Sequence, residues 1–219
     1  MSLETIHLRK LLQLFYAEPR QRRSLLLADI RNELGRKAGD KGGDFHAPFW
    51  ADAKDHVAGK IDLRERSNER IKSNPSRKRL YPLLVNGFLS LWNEKARWRN
   101  ERFDLIPTNV GARFSIDELK ATVKVESVVA VELQNGAHRI VYPYFSEQPA
   151  LPTDGARLAF WAMREALPDF ELDDFRVMDV LRSSYFRASE LPLRGDERDS
   201  FVRRYDGVLK EWRKLRSER

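Results

Sequence analysis

The chain has 219 residues, of which 42% are hydrophobic and 33% are charged, and it carries a formal net charge of +7. Its hydrophobic content, which includes 12 Phe, 6 Tyr and 5 Trp, is enough to fill a core and excludes wholesale disorder. The absence of cysteine excludes disulfides, thiolate zinc sites, iron–sulfur clusters and cysteine nucleophiles.

The sequence predicts a bacterial protein of the cytoplasm with no membrane association. No apolar run approaches the roughly 18 residues that a membrane-spanning helix needs. The first residues lack the basic-then-apolar pattern of a secretory signal. The lack of cysteine also fits a reducing compartment.

The charge is distributed unevenly along the chain. Residues 1–102 hold 22 Lys and Arg against 13 Asp and Glu, and residues 201–219 hold 7 against 3. Residues 103–200 are acidic, with 11 Lys and Arg against 17 Asp and Glu. Two interpretations stay open: a basic face that binds a polyanion, or complementary surfaces that neutralise each other within the fold or between subunits.

The N-terminal part of the chain is predicted to be helical. Leucines recur at helical spacing over residues 3–17, and Pro19 can open a second helix that ends near Gly35. Residues 51–72 are polar and compatible with a helix. The strongest helix signal lies over residues 80–102, where apolar side chains follow a three/four spacing and basic residues follow them.

After these helices the apolar spacing changes to that of strands. Residues 119–133 alternate between apolar and polar side chains, which predicts one long half-buried strand or two strands bent near Ser127. Asn135-Gly136 is a tight-turn signal, so residues 138–145 return as the second arm of a hairpin.

The last part of the chain alternates helix and strand. Thr153 can cap a helix that runs to Leu167, before Pro168. Residues 175–181 are predicted to form a strand, and residues 196–216 carry the continuous apolar stripe of a final helix.

These elements together predict an α+β fold. A helical N-terminal half packs against a small, mostly antiparallel sheet, with the C-terminal half in the order β-β-α-β-α. No internal repeat and no low-complexity linker interrupts the chain, so residues 1–219 are interpreted as a single integrated domain. Its sub-regions are the basic helical part, 1–102, and the sheet with two helices, 103–219.

Basic side chains around the strongest helix are the first functional candidates. Arginine and lysine neutralise phosphates, so this charge favours binding of nucleic acid or another polyanion through a basic helical face. The competing interpretation is a set of solvated helix ends paired with carboxylates. The candidate binding residues are Arg77, Lys78, Arg79, Lys95, Arg97, Arg99 and Arg102.

A second candidate site is a set of two acids and a lysine at the start of the sheet. Asp104 precedes Glu118-Leu-Lys120, which lies at the start of the predicted long strand. An Asp followed by an acid-x-Lys resembles the signature of the PD-(D/E)XK nucleases, and the order of elements over residues 103–182 is similar to their core. The resemblance implies a divalent metal held by Asp104 and Glu118, with Lys120 positioning the attacking water.

Two local features complete the candidates. The glycine-rich stretch 35–43 is predicted to be a surface loop, since it lacks the Gly-Lys-Ser/Thr ending of a phosphate-binding loop. The following segment holds a cluster of side chains that could ligate a metal or serve only structural roles. The cluster consists of Asp44, His46, Asp52, Asp55 and His56.

The sequence thus leaves three functions open. The first is a polyanion-binding protein without catalysis and without a cofactor. The second is the divalent-metal nuclease just described. The third is an interaction module whose basic half binds an acidic protein surface, including that of a second copy. The oligomeric state cannot be predicted from these patterns.

Overall fold

The protein is described by a computed structural model that covers residues 3–35, 44–95, 102–106 and 110–218. The helices are α1 (Leu8–Tyr16), α2 (Pro19–Leu34), α3 (Ala47–Val57), α4 (Leu63–Ser73), α5 (Tyr81–Leu89), α6 (Thr153–Ala166) and α7 (Glu197–Ser217). The strands are β1 (Thr5–His7), β2 (Phe103–Leu105), β3 (Ala112–Ile116), β4 (Ala121–Val125), β5 (Val129–Leu133), β6 (His138–Tyr144), β7 (Phe175–Asp179) and β8 (Ser184–Arg187).

The α+β class is confirmed, but the single, mostly antiparallel sheet is replaced by two mixed sheets. The smaller sheet has the order β1-β4-β3, with β1 parallel to β4. The larger sheet has the order β2-β5-β6-β7-β8, with β6 parallel to β7. A parallel pair needs a crossover connection, and α6 provides the one between β6 and β7.

The predicted long strand is divided at the residue where a bend was expected. Ser127 has a φ of 67°, a left-handed conformation that an uninterrupted strand cannot contain. The chain before it forms β4 of the smaller sheet, and the chain after it forms β5 of the larger one. The indole N–H of Trp50 donates to the Ser127 carbonyl, so the bend is also fixed by α3.

Two predicted helices differ from the observed elements. The first helix was expected from residue 3, but Thr5–His7 form β1 and pair with Thr122–Lys124 of β4. The partner strand lies far away in the sequence, so the local pattern of residues 5–7 gives no sign of this pairing. In the segment expected to be a helix over 80–102, α5 ends at Leu89 and a π-helical stretch covers Ser90–Lys95.

The larger sheet separates two hydrophobic cores. One face, with Ile140 and Tyr142, packs into a core that also contains buried residues of α1, α2, α6, α7 and the smaller sheet. The opposite face, with Val129 and Val141, packs with α3, α4 and α5. Since neighbouring residues of a strand point to opposite faces, α4 and α7 lie on opposite sides of this sheet.

Pro143 lies in a central strand, where the missing N–H of proline would normally break a hydrogen-bond ladder. The pairing of β5 with β6 ends at Val141, whereas β7 continues alongside β6 to Tyr144. Pro143 is therefore tolerated because β6 extends beyond its partner β5. Within the described ranges, no helix is both long and apolar enough to cross a membrane.

Candidate nucleic-acid interface and adjoining pocket

Many basic side chains lie on α4 and in the segments directly before and after it. Residues 60–79 contain eight Lys and Arg against three Asp and Glu. We refer to this segment as the basic surface. Its exposed cations are Lys60, Arg64, Arg66, Lys72, Lys78 and Arg79, and Arg70 and Arg77 are half-buried.

Helix α4 forms because its start is capped and one narrow side of it is buried. The Asp62 carboxylate accepts a hydrogen bond from the Glu65 backbone N–H at 2.9 Å, a typical N-cap. Leu63 and Ser67 are buried, and Ile71 packs partly against the core shared with α3 and α5. The remaining positions are mostly polar or charged, so most of the helix circumference faces solvent.

An ion pair holds α4 against α3. Arg70 donates to both carboxylate oxygens of Asp52, at 2.7 and 2.8 Å, and Asp52 is only 5% exposed. This contact raises the pKa of Arg70, and the paired carboxylate keeps the buried site neutral overall. Asp52 therefore has a structural role and is not a free metal ligand.

The predicted residues Arg77, Lys78 and Arg79 lie at the end of the basic surface. The Arg77 guanidinium stacks over the Tyr81 ring, with its carbon 5.3 Å from the ring centroid. Arg79 donates to both carboxylate oxygens of Glu147 and lowers the pKa of Glu147. Lys78 is exposed and has no carboxylate partner in the part of the chain that the structure describes.

Most of the other predicted basic residues lie outside the residues that the structure describes. The side chain of Lys95 and all of Arg97 and Arg99 lie outside the described residues, as do positions 36–43 of the glycine-rich stretch. Arg102 is exposed and directly precedes β2. Of the predicted set, the structure thus describes the side chains of Arg77, Lys78, Arg79 and Arg102.

The three residues of the nuclease resemblance are divided between a strand of the larger sheet and a turn of the smaller one. Asp104 is exposed on β2 of the larger sheet, opposite Glu132. Glu118 lies in a 3-10 turn between two strands of the smaller sheet and pairs with Arg198 of α7 at 2.8 Å. Lys120 follows that turn with a φ of 51°, so the acid-x-Lys motif lies in a turn and the expected strand placement is wrong.

The described residues contain no group of three or more His, Asp or Glu side chains placed to hold a metal ion. In the local cluster around α3, His56 contacts the Ile61 carbonyl through Nδ1 at 3.0 Å. Asp55 pairs with Lys60 at 3.5 Å. The nuclease function stays a prediction that no contact in the structure supports.

A cavity of about 390 Å³ lies beside the carboxyl end of β6. It is lined by residues from β1, α1, the end of α2, the segment before α3 and the segment after β6. We refer to it as the histidine pocket, since His7 and His46 line it together with Phe45 and Phe145. Its volume lies within the range of small-ligand sites.

Both histidines are neutral at pH 7. Burial, with a further contribution from the Arg9 guanidinium, lowers the pKa of His7 and of His46 to about 4. His46 Nδ1 lies 3.7 Å from Asp44, but this is a contact with a neutral imidazole at pH 7. Neither His7 Nδ1 nor His46 Nε2 has a hydrogen-bond partner among the described residues.

The charged side chains of the pocket form two ion pairs. Arg9 pairs with Asp44, and Lys10 pairs with Asp29 at 3.1 Å. Two cations thus face two carboxylates, and with both histidines neutral the formal charge of the lining is zero. The basic surface and the pocket therefore differ in electrostatic character, although they are neighbours.

The histidine pocket could not be predicted from the sequence. Its residues come from segments that are far apart in the chain, and His7 and His46 have no shared local motif. The one available signal was the segment from Asp44 to Trp50, where two polar side chains stand close to three aromatic ones. That signal pointed to a metal site and did not indicate an aromatic pocket.

Comparison with known proteins found no matching family model, no similar curated protein and no similar solved structure.

Proposed function

We propose that the protein binds nucleic acid, or another polyanion of similar charge density, through the basic surface. The observation that carries the proposal is the ratio of eight cations to three carboxylates within 60–79, a segment that includes α4 and its flanking turns and in which α4 exposes most of its circumference. Polyanion affinity arises largely from such cations, because each phosphate contact releases condensed counterions.

The cations of the basic surface are available to a ligand. Lys72 and Lys78 have no carboxylate partner within the described ranges. The Arg79–Glu147 pair is exposed on both sides, at 70% and 45%, and solvent screening makes such an exposed pair weak. A phosphate can therefore replace Glu147 at small cost.

A second basic region lies on α2 and α7, and its cations are less available to a ligand than those of the basic surface. Four of its arginines connect the two helices to each other and to the N-terminal segment. The pairs are Arg22–Glu211, Arg23–Glu218, Arg216–Glu33 and Arg213–Glu4. These carboxylates lower the attraction for a polyanion, so the α4 side of the protein is the better candidate.

The proposal is tested by neutralising three exposed cations on each side of the sheet. The Lys72→Gln, Lys78→Gln, Arg79→Gln variant removes three charges from the basic surface. We expect its affinity for a fluorescein-labelled single-stranded or duplex DNA to fall about tenfold or more, in a fluorescence anisotropy titration at roughly 0.1 M salt.

The matched control removes the same charge from α7. Its substitutions are Arg203→Gln, Lys210→Gln and Lys214→Gln, all at exposed positions. We expect this variant to bind within about twofold to threefold of the unmodified protein, since only long-range attraction changes. Equal losses in the two variants would show that net charge alone decides binding, and the proposed interface would then be wrong. Binding to acidic proteins but to no nucleic acid would favour the interaction module instead.

A further inference from the structure

The histidine pocket is continuous with the end of the basic surface. The Tyr81 hydroxyl donates to the Phe45 carbonyl at 3.1 Å, and Arg77 stacks over the other part of the same tyrosine. Arg79 pairs with Glu147, which directly follows the pocket residue Ser146. The end of the basic surface therefore lies next to residues that line the pocket.

The pocket itself does not suit a phosphate. Its two cations are already paired with carboxylates, and its two histidines are neutral. A phosphate inside it would lie near Asp29 and Asp44, whose charge would repel it. The charge distribution favours a ligand whose anionic part stays on the basic surface and whose uncharged part enters the pocket.

The walls of the pocket suit a flat aromatic group. Phe45 is 37% exposed, which is unusual for a phenylalanine in this protein, and its ring contacts both His46 and Tyr81. His46 in turn stacks on Phe145 with ring centroids 4.8 Å apart and nearly parallel planes. An aromatic surface beside a basic track is the combination that binds unpaired bases, because every base has a face that can stack.

Polar groups around these aromatics can contact the edge of a base. Asn32 lines the pocket and is exposed, so its amide can offer both a donor and an acceptor. The Lys10 ammonium and the Asp29 carboxylate lie on the same wall. These groups can donate hydrogen bonds to an uncharged heteroaromatic ring and accept hydrogen bonds from it.

We propose that the histidine pocket takes an unpaired nucleobase from a single strand whose phosphates lie on the basic surface. The proposal rests on the proposed function, since the phosphate contacts bring the strand to the pocket. A base inside a duplex is paired and stacked, so it enters only after extrusion at an energetic cost. The protein therefore prefers single strands to duplexes of equal length.

The test compares two oligonucleotides that have the same phosphates. One is a 20-nucleotide strand of thymidines, and the other is a strand of equal length made of abasic sites. We expect the thymidine strand to bind about tenfold tighter by fluorescence anisotropy, and Phe45→Ala to reduce that difference to about twofold or less. Phe45→Trp keeps an aromatic surface and restores the difference. Leu83→Ala removes another exposed apolar side chain, 50% exposed and outside the pocket, and leaves the difference unchanged.

The outcomes separate the two proposals. Equal affinity for the two strands overturns base capture and leaves polyanion binding intact. Failure of both strands to bind overturns both proposals. A Phe45→Ala variant that weakens both strands equally also overturns base capture, because the aromatic side chain would then act on the fold or on phosphate binding and not on a base.

Discussion

At the scale of single residues, the neutral histidines of the pocket depart clearly from ordinary side-chain chemistry. His46 lies between Phe45 and Phe145 and beside Arg9, so both burial and a neighbouring positive charge oppose its protonation. The folded state therefore requires an uncharged imidazole at this position, whereas the unfolded chain does not.

This difference predicts a loss of stability in mild acid. The pKa of His46 is about 4 in the folded protein and near 6.5 in the unfolded chain. Below pH 6.5 the unfolded chain binds the proton first, so the contribution is fully present above that pH and is lost as pH falls toward 4. We expect His46 to account for up to about 3 kcal/mol of the fall in the free energy of unfolding between pH 7 and pH 4.

Urea unfolding at several pH values checks this prediction with a His46→Phe variant. Phenylalanine keeps a ring that can stack on Phe145 but has no ionisable group. Its unfolding free energy should depend less steeply on pH than that of the unmodified protein, with the remaining slope arising from His7 and the carboxylates. Identical pH dependence in the two proteins would show that His46 is not held neutral by the fold.

At the scale of secondary-structure elements, α5 lies unusually close to the turn after β7. Gly87 of α5 faces the Val180 carbonyl so closely that a Cβ at this position would lie 1.9 Å from the carbonyl oxygen. The Gly87 carbonyl also accepts a hydrogen bond from the Ser183 hydroxyl at 3.2 Å. This contact fixes α5, the helix that follows the basic surface, against the larger sheet.

A Gly87→Ala substitution should therefore destabilise the protein in spite of the better helix propensity of alanine. Backbone atoms on both sides must move apart, and we expect a loss of about 3 kcal/mol in the free energy of unfolding. Gly207→Ala in α7 is the matched control, since nothing lies within 4 Å of a Cβ there. The control should gain about 0.5–1 kcal/mol. If urea unfolding showed that both substitutions raise the free energy of unfolding equally, the close approach of Gly87 to the Val180 carbonyl would be contradicted.

Elements with local signals could be predicted from the sequence, and elements with distant partners could not. Helix α6 begins at Thr153 and ends at Ala166, close to its prediction, because its apolar stripe and the flanking prolines are all local. Strand β1 was missed because its signal is its pairing with β4. The short strands β3 and β8 pair with β4 and β7 across tight turns, and they were missed because Lys120 and Ser183, not glycines, adopt the left-handed conformation in those turns.

The residues of the candidate site also divide into those with a local signal in the sequence and those without one. Arg77, Lys78 and Arg79 could be selected from local charge, and the structure adds Lys72 and Arg66 on the preceding helix. The histidine pocket could not be found in the sequence, since the fold alone brings its distant segments together.

At the scale of the whole molecule, the uneven charge of the chain is resolved into two different surfaces. On the α7 side of the larger sheet, cations and carboxylates pair across neighbouring helices, as in Arg22–Glu211. On the α4 side, cations outnumber carboxylates and several have no carboxylate partner among the described residues. The pairing of opposite charges therefore describes the α7 side, and polyanion binding is proposed for the α4 side.

The salt dependence of binding tests the central claim of polyanion recognition most directly. Helix α4 has 11 residues and spans about 16 Å, enough to face roughly four phosphates of a single strand. The logarithm of the association constant for the thymidine strand should fall with the logarithm of salt concentration with a slope of about −3, between roughly 50 and 200 mM salt. Binding with a slope near zero, or no binding at low salt, would contradict the account.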